Sequence, residues 1–203
     1  MKTKSCYDSS YLVGPCGGSL VSPRVVLSAL HCVHGLGDIE ESKDISCGIV
    51  VLGRHEIDRS SLSRYQTIPV IKVLVPPQPK DGGLQNHDFA LLLLEHPAKY
   101  TSKVSPICLP EPNAEFRELK ATAAGWGRYE QKLGKQSHVL RAVDLTVSNP
   151  VSDRKAMFRT KVADNQILDV CGGDSGNFTT FSKANQFGPS FRRSPDVLQQ
   201  DNL

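Results

Sequence analysis

Hydrophobic residues in this chain fall in short runs separated by Gly, Pro, Ser and Asp, a pattern typical of β-strands joined by turns. One run, Phe89–Leu94, is apolar at every position, which favours a strand buried on both faces. Short strands at such spacing favour an all-β barrel or sandwich. We predict strands at Ser19–Val21, Val25–Leu27, Ile49–Gly53, Ile68–Val75, Phe89–Leu94, Ala121–Trp126 and Leu140–Val147.

Three other segments complete this outline. Pro106–Asn113 contains three prolines and is predicted to connect two halves of the chain. Lys155–Lys161 is predicted to form a short helix. Ser182–Leu203 is polar with little periodicity, so we expect it to be disordered or poorly packed.

The overall composition is that of a globular protein with one domain or two small ones. The chain has 203 residues, of which 39% are hydrophobic and 22% charged. Its net charge of +3 is small, and no basic stripe alternates with aromatic residues, so we expect no nucleic-acid partner. No apolar run approaches the roughly 18 residues of a membrane span, so we expect no membrane partner.

The cysteines narrow the chemistry further. Six cysteines, at positions 6, 16, 32, 47, 108 and 171, form no Cys-x-x-Cys pair, so the spacing typical of zinc sites is absent. Cys16, His31, Cys32 and His34 could be metal ligands, but adjacent ligands fit one ion poorly. Disulfides are the better interpretation, and they indicate an oxidising compartment. The start of the chain has no apolar segment behind its charges, so we expect either a missing start or a cytosolic protein.

The segment Val170–Phe178, with the sequence VCGGDSGNF, carries the clearest chemical signal. A serine hydroxyl becomes a nucleophile only with a base in hydrogen-bond reach and a group that orients the base. The glycines before Asp174 allow a tight turn that presents backbone N–H groups at close range. We expect the N–H groups of Gly173 and Ser175 to form an oxyanion pocket. Alone, the tetrapeptide Gly-Asp-Ser-Gly is more often an ordinary turn.

Four other segments occur in a fixed order with this one. They are CGGSLVSPRVVLSALHCVHG at 16–35, HDFALLLLEHP at 87–97, PICLP at 106–110 and AAGWG at 123–127. Together the five segments resemble the chymotrypsin-like serine proteases, peptidase family S1, of the trypsin-like branch. The resemblance covers roughly four-fifths of the chain, from about Cys16 to Ser175. A small disulfide-stapled β-domain with chance motifs is the interpretation outside the family.

The resemblance implies roles for individual residues. Ser175 is the expected nucleophile, His31 the expected general base, and Asp88 the buried carboxylate that holds the imidazole tautomer. The order His, Asp, Ser along the chain is that of chymotrypsin. The alternatives are that His31 is a histidine at a strand end, with His34 and His55 as similar candidates, and that Asp88 caps a strand.

Two further features are implied by the same resemblance. Cys16 and Cys32 are the expected disulfide behind the histidine, contributing about 3 kcal/mol in the chain-entropy model. Asp169 stands six residues before Ser175. It is expected at the bottom of the pocket that binds a substrate Lys or Arg side chain. The alternative for Asp169 is a solvated loop acid.

The resemblance also implies a fold and partners. We expect two six-stranded antiparallel β-barrels, the second incomplete, with residues 1–105 carrying His31 and Asp88, 106–181 carrying Ser175, and a disordered tail at 182–203. The expected partners are a protein or peptide substrate, protease inhibitors, and a disulfide-linked light chain or pro-segment. The resemblance implies Cys108 for that link, and Cys6 is the alternative. We expect no cofactor and no metal, and an extracellular location.

The chain departs from the family pattern near the serine and at both ends. Asn177 and Phe178 replace the usual Gly and Pro, and Asn177-Phe178-Thr179 forms a glycosylation sequon. The segment with Ser-Trp-Gly, the C-terminal helix and the Ile-Val-Gly-Gly start are missing, so we expect a chain truncated at both ends. A buried Asp174 without its usual amine partner would be costly. The alternative function is therefore a non-catalytic homologue or truncated product that acts only as a binding module.

Overall fold

The computed structural model is built almost entirely of antiparallel strands. It describes residues 16–33, 42–57, 64–75, 88–111, 114, 116, 118–130, 135–151, 154–162, 179–182 and 198–201. The one helix among them is a single turn, α1 (Leu30–Val33). The predicted all-β class agrees with this architecture.

The first sheet closes into a barrel with the strand order β1-β12-β3-β4-β5-β2. Five strands come from the first half of the chain and one from its last residues. Their bounds are β1 (Cys16–Ser22), β2 (Val25–Ser28), β3 (Ser42–Leu52), β4 (Gln66–Leu74), β5 (Ala90–Leu94) and β12 (Leu198–Asp201). The predicted strands in this half lie within or overlap these five elements.

The barrel is filled by aliphatic side chains from every side. β5 shows how the sequence produces this, because Ala90, Leu92 and Leu94 are buried while Leu91 and Leu93 are half-buried. The prediction that Phe89–Leu94 is buried on both faces is therefore wrong, and Phe89 is 44% exposed. In an antiparallel barrel, the side chains on one face of each strand point into the core, and those on the other face point outward. The core residues are Leu20, Val26, Leu30, Val33, Val50, Leu52, Ile68, Val70, Val73, Val75, Ala90, Leu92, Leu94, Ala98 and Val104.

The second unit is a four-stranded sheet in the order β10-β9-β6-β11 beside a two-stranded sheet of β7 and β8. Its core is smaller and consists of Ala121, Ala123, Val143, Leu145 and Val147, with Phe116 packed against it. The number of strands expected in this unit stays a prediction. The strand bounds are β6 (Lys120–Gly125), β7 (Arg128–Glu130), β8 (Lys135–Gln136), β9 (Arg141–Val151), β10 (Arg154–Val162) and β11 (Thr179–Ser182).

The helix predicted at Lys155–Lys161 is wrong, because these residues lie in β10. β10 pairs antiparallel with β9, with Thr160 opposite Val147 and Val162 opposite Leu145. β-branched residues suit a paired strand, and the neighbouring strand supplies hydrogen bonds that a sequence pattern does not reveal.

The C-terminal strand β12 lies in the segment that we expected to be disordered. It pairs with β1 on one side, Cys16 opposite Gln200, and with β3 on the other, Val51 opposite Gln199. All four residues of β12 are thus paired, as is Ser182 at the end of β11 with Lys120, whereas 183–197 and 202–203 lie outside the described residues. The domain boundaries at 105 and 181 stay predictions, although residues 105–111 belong to no strand or helix.

Replacing Gln199 by proline is expected to destabilise the first barrel. Proline has no N–H and is tolerated poorly inside a strand that has neighbours on both sides. Each lost backbone hydrogen bond contributes about 0.5–1.5 kcal/mol, so the melting temperature should fall measurably by circular dichroism. Gln199→Thr keeps the N–H and a strand-favouring side chain and should melt like the wild type. Equal melting of the two variants would show that β12 contributes nothing to the barrel.

Candidate functional site

The site begins at the turn of helix that follows β2. Leu30 and Val33, three residues apart, share one face of α1 and are buried in the barrel core. Cys32 is buried on another side, against Cys16 and Ala29. His31 is the exposed residue of this turn. The apolar neighbours therefore fix the backbone and leave the imidazole at the surface.

Asp88 reaches the same place from a distant part of the sequence. β2 and β5 are antiparallel, with Ser28 at the end of β2 opposite Ala90 at the start of β5. The residue before β5 and the residues after β2 therefore lie at one edge of the barrel. This pairing brings together side chains that are 57 positions apart.

Asp88 holds His31 with both carboxylate oxygens. Oδ1 accepts a hydrogen bond from the His31 backbone N–H at 2.9 Å, and Oδ2 lies 2.7 Å from Nδ1 of the ring. Because a carboxylate only accepts hydrogen bonds, Nδ1 carries a proton and donates it. Nε2 of a neutral ring is then the acceptor. The side chains of His31 and Asp88 are 54% and 41% exposed, so the pair is open to solvent. The expectation that the Asp88 carboxylate is buried is therefore wrong, because Asp88 lies at the edge of the barrel before β5 begins.

A disulfide supports this pair from below. Cys16 and Cys32 are joined, with 6.1 Å between their Cα atoms, and Cys32 directly follows the histidine. The bond ties β1 to α1, and the buried Ser28 hydroxyl adds a 2.8 Å hydrogen bond to the Gly17 carbonyl. Gly18 is also required, since a Cβ there would lie 2.8 Å from Val26 Cγ1. The backbone under His31 is thus held by a covalent bond, a hydrogen bond and close packing.

Three of the residues expected in the site lie outside the described residues. These are Ser175, Gly173 and Asp169, so their roles stay predictions. His34, weighed as an alternative base, lies outside them too. Cys108 is described and is an exposed free thiol, whereas no pairing is described for Cys6, Cys47 or Cys171.

Sequence reasoning missed a contact between the first barrel and the second unit. We call this contact the seam and define it as Arg54–Ile57 together with Trp126 and Ser137–Leu140. The Trp126 indole donates a 2.9 Å hydrogen bond to the carbonyl of His55, which also accepts from the Leu140 N–H at 2.8 Å. Glu56 and Val139 form an isolated antiparallel β-bridge outside the named strands. His55, the other alternative base, therefore takes part in the seam through its backbone.

Arg54 lies at the start of the seam and is 3% exposed. Its Nε donates to the Glu56 carbonyl at 2.9 Å, and its guanidinium lies 5.9 Å from the centre of the Tyr65 ring. A buried charge needs such partners. The only sequence signal for this contact was a charged residue directly after an apolar strand.

Within the part of the chain that the structure describes, one group of side chains has the composition of a metal site. It consists of Cys16, His31 and Cys32, whose donor atoms lie within 4.8 Å of one another. In the disulfide form both sulfur atoms are bonded to each other, so neither is a thiolate ligand.

Among the described helices, none is long and apolar enough to cross a membrane.

Comparison with known proteins identifies the family. The trypsin family model matches residues 5–177, and this chain belongs to the trypsin family. Human heparin binding protein has a similar solved structure, with a TM-score of 0.66, 28% sequence identity, and 82% of this chain and 69% of that chain covered. Neuropsin from mouse brain, at 23% identity and a TM-score of 0.61, has the same fold over 82% of this chain and 71% of its own. These are chymotrypsin-like folds, so the predicted fold class is confirmed.

Two curated relatives are similar to most of this chain. Melanization protease 1 of Drosophila melanogaster is 30% identical over 184 residues, which cover 79% of this chain and 45% of that protein. Phenoloxidase-activating factor 1 of Holotrichia diomphalia is 28% identical over 202 residues, covering 84% of this chain and 51% of that protein. This chain spans about half the length of these relatives. Family and relatives support a serine-protease kind of function.

Proposed function

We propose that this chain is a serine endopeptidase domain that hydrolyses peptide bonds with Ser175, His31 and Asp88 as its triad. One observation carries the proposal, namely the hydrogen bonds that the two carboxylate oxygens of Asp88 accept from the backbone N–H and the ring of His31. A ring held in this way has Nε2 as its free basic nitrogen. Membership of the trypsin family and the Gly-Asp-Ser-Gly sequence support Ser175 as the partner of that nitrogen.

Each group has a defined task in this mechanism. Nε2 of His31 takes the proton of the Ser175 hydroxyl while Oγ attacks the carbonyl carbon of the peptide bond. The N–H groups of Gly173 and Ser175 stabilise the oxyanion that forms. His31 then gives its proton to the leaving amine, so the C–N bond breaks and an acyl-enzyme remains. Water attacks the ester by the same route and restores the hydroxyl. Asp88 stabilises the imidazolium throughout.

The substrate class follows from Asp169. A carboxylate at the base of the specificity pocket would form a charge-assisted pair with the side chain before the cleaved bond. We therefore propose cleavage after Lys or Arg, in protein substrates outside the cell. Protease inhibitors would bind the same surface, and Cys108 would link the domain to a light chain or pro-segment. If Asp169 is instead a solvated loop acid, the chain would hydrolyse peptide bonds without a preference for Lys or Arg.

Active-site titration tests this function directly. A fluorophosphonate probe reacts only with a serine that a nearby base has activated, so we expect it to label the folded chain at about one site per molecule. Ser175→Ala should abolish labelling and leave the circular dichroism spectrum unchanged. Labelled protein should also lose hydrolysis of an arginine ester, which we expect to be faster than hydrolysis of a matched phenylalanine ester. If a folded, monomeric chain stays unlabelled, the proposal that it is a serine endopeptidase is wrong.

The second candidate is a non-catalytic binding module, and one comparison favours it. A solved structure similar to this chain is that of a heparin binding protein, and the net charge of this chain is positive, +3. Binding to polyanions weakens steeply with salt. Retention on immobilised heparin that salt reverses, together with no probe labelling, would support this candidate. Labelling without retention would reject it.

A further inference from the structure

A turn that follows β5 is anchored at both ends while the residues between are exposed. Ala98 and Val104 are buried in the barrel core, and residues 99–103 are all exposed. Thr101 and Val104 exchange backbone hydrogen bonds of 2.9 and 3.3 Å, and the Lys103 N–H donates to Oγ1 of Thr101 at 3.1 Å. Core packing and these hydrogen bonds therefore fix the backbone of the turn.

The start of β4 lies directly beside this turn. The side-chain amide of Gln66 donates a 2.7 Å hydrogen bond to the Lys99 carbonyl, and its Oε1 accepts one of 2.8 Å from the Lys99 N–H. Arg64 and Tyr65 immediately precede Gln66. Two segments that are distant in sequence, 64–66 and 99–103, therefore form one surface.

This surface carries three positive charges and two aromatic rings. We call it the basic face and define it as Arg64, Tyr65, Lys99, Tyr100 and Lys103. The three cations are exposed, and none of them has a carboxylate partner among the described residues. Tyr100 is 51% exposed. Neither 64–75 nor 96–110 contains an acidic residue, and the nearest acid before the turn is Glu95. The basic face therefore has an excess of positive charge that is open to a ligand.

The basic face lies at the end of the barrel opposite the His31–Asp88 pair. β5 begins two residues after Asp88 and ends at Leu94, which is opposite Val70 of β4. A strand of this length spans about 15 Å, and the basic face lies beyond its far end. A ligand on the basic face would therefore leave His31 accessible.

We propose that the basic face binds an acidic segment of a partner protein, in which carboxylates flank an aromatic or apolar residue. The carboxylates pair with Arg64, Lys99 and Lys103, and the residue between them packs on the ring of Tyr100. Because the turn is already fixed, little backbone ordering opposes binding. This interaction goes beyond the proposed peptidase function and does not rest on it.

The composition of the basic face favours a peptide over a sulfated polysaccharide. A polysaccharide carries charge at every repeat and offers no aromatic or apolar side chain, so it is best matched by a long row of cations. The described residues at this end of the barrel supply three cations beside an exposed ring. Aromatic side chains are typical of the centre of a protein interface.

Fluorescence anisotropy with the full-length chain tests the proposal. The probe is a fluorescein-labelled peptide of repeated Glu-Glu-Phe units, which has no Lys or Arg after which the proposed peptidase could cleave. We expect saturable binding at low ionic strength. Raising the salt from about 0.03 M to about 0.3 M should weaken it about tenfold or more, because exposed charges are screened. A chain that shows no saturable binding at low salt contradicts the proposal.

Matched double variants locate the binding surface. Lys99→Glu combined with Lys103→Glu should weaken binding about tenfold or more, because an exposed ion pair accounts for roughly a two- to fivefold effect and charge reversal adds repulsion. Arg128→Glu combined with Lys161→Glu is the control, since both residues are exposed in the second unit. Either combination changes the net charge from +3 to −1, but the control should bind within about twofold of the wild type. Equal weakening by the two combinations would overturn the proposed surface.

A third variant tests the aromatic contact. Tyr100→Ala should weaken binding of the Glu-Glu-Phe peptide about threefold or more, because an aromatic pair contributes beyond the area that it buries. The same variant should bind an all-glutamate peptide like the wild type. Equal affinity of wild type and variant for the Glu-Glu-Phe peptide would contradict the proposed role of Tyr100.

Two controls separate this interaction from other kinds of binding and from the peptidase. Saturating peptide should leave arginine-ester hydrolysis unchanged, whereas competitive inhibition would place the peptide at the catalytic site and overturn the proposal. Ser175→Ala should bind the peptide like the wild type, so failure of the basic face and failure of the peptidase are seen in separate measurements. If a heparin fragment binds more tightly than the peptide and is lost in the Lys99 and Lys103 variant, the ligand is a sulfated polysaccharide and the proposed protein partner is wrong.

Discussion

Replacing Asp88 by asparagine is expected to lower kcat about 10⁴-fold, the size of effect that the same change has in the reference chymotrypsin-type triad. The physical reason lies in Nδ1 of His31, which is 2.7 Å from Asp88 Oδ2. An amide can offer its NH₂ group to that nitrogen, which favours the tautomer with the proton on Nε2. The ring then cannot accept the serine proton. KM should change little, because the substitution alters the proton position on His31 and not the proposed specificity pocket.

Control variants separate this effect from a folding defect. The asparagine oxygen can still accept from the His31 backbone N–H, as Oδ1 does at 2.9 Å, so thermal melting should be close to that of the wild type. His96 is an exposed histidine beyond the other end of β5, and His96→Ala should retain wild-type kcat/KM. A fall of less than about tenfold in Asp88→Asn, measured on an arginine ester, would contradict a triad role for Asp88.

The sequence predicted the residues of this pair but not the pairing that joins them. Val25–Leu27 and Phe89–Leu94 are recognisable as strands because they are apolar and bounded by turn residues. Nothing in either run shows that Ser28 lies opposite Ala90. Only the resemblance to a known family placed His31 and Asp88 together, since the pairing register depends on the whole barrel.

The elements that sequence analysis missed are those whose signal is non-local. α1 has one turn, which is too short for a helical period to appear. β10 contains apolar and basic residues that also suit a helix, and its pairing with β9 decides the outcome. Part of the seam depends on the carbonyl of His55 and the N–H of Leu140. Every residue has a backbone carbonyl and every residue except proline has a backbone N–H, so the types of these two residues do not reveal their contact.

The seam bears on the proposed function because it joins the first barrel, against which the turn with His31 packs, to the second unit of the chain. Two of its hydrogen bonds run between backbone groups, from Ile57 N–H to the His138 carbonyl at 2.7 Å and from Leu140 N–H to the His55 carbonyl at 2.8 Å. Backbone contacts of this kind fix distance and direction more strictly than side-chain contacts on mobile chains. A triad assembled from both halves requires that precision, because catalysis depends on reacting atoms held in contact.

Replacing Trp126 by alanine is expected to destabilise the protein by about 3–5 kcal/mol, the usual cost of removing a large buried aromatic side chain. Trp126 is 2% exposed, and its indole N–H donates to the His55 carbonyl at 2.9 Å. For a chain of this size the melting temperature should fall on the order of 10 °C. Circular dichroism measures it, because Trp126 is the only tryptophan and its fluorescence disappears in the variant.

Two matched variants divide this effect into its parts. Trp126→Phe keeps most of the packing and removes the indole donor, so its loss should be smaller and include the roughly 0.5–1.5 kcal/mol of one hydrogen bond. Tyr100→Ala removes an aromatic ring that is 51% exposed, and should lie within about 0.5 kcal/mol of the wild type. Similar melting of Trp126→Ala and Tyr100→Ala would mean that the seam does not stabilise the fold. In the wild-type protein, the fluorescence of Trp126 reports the opening of the seam. A fluorescence transition at a lower temperature than the circular dichroism transition would show that the seam opens before the strands unfold.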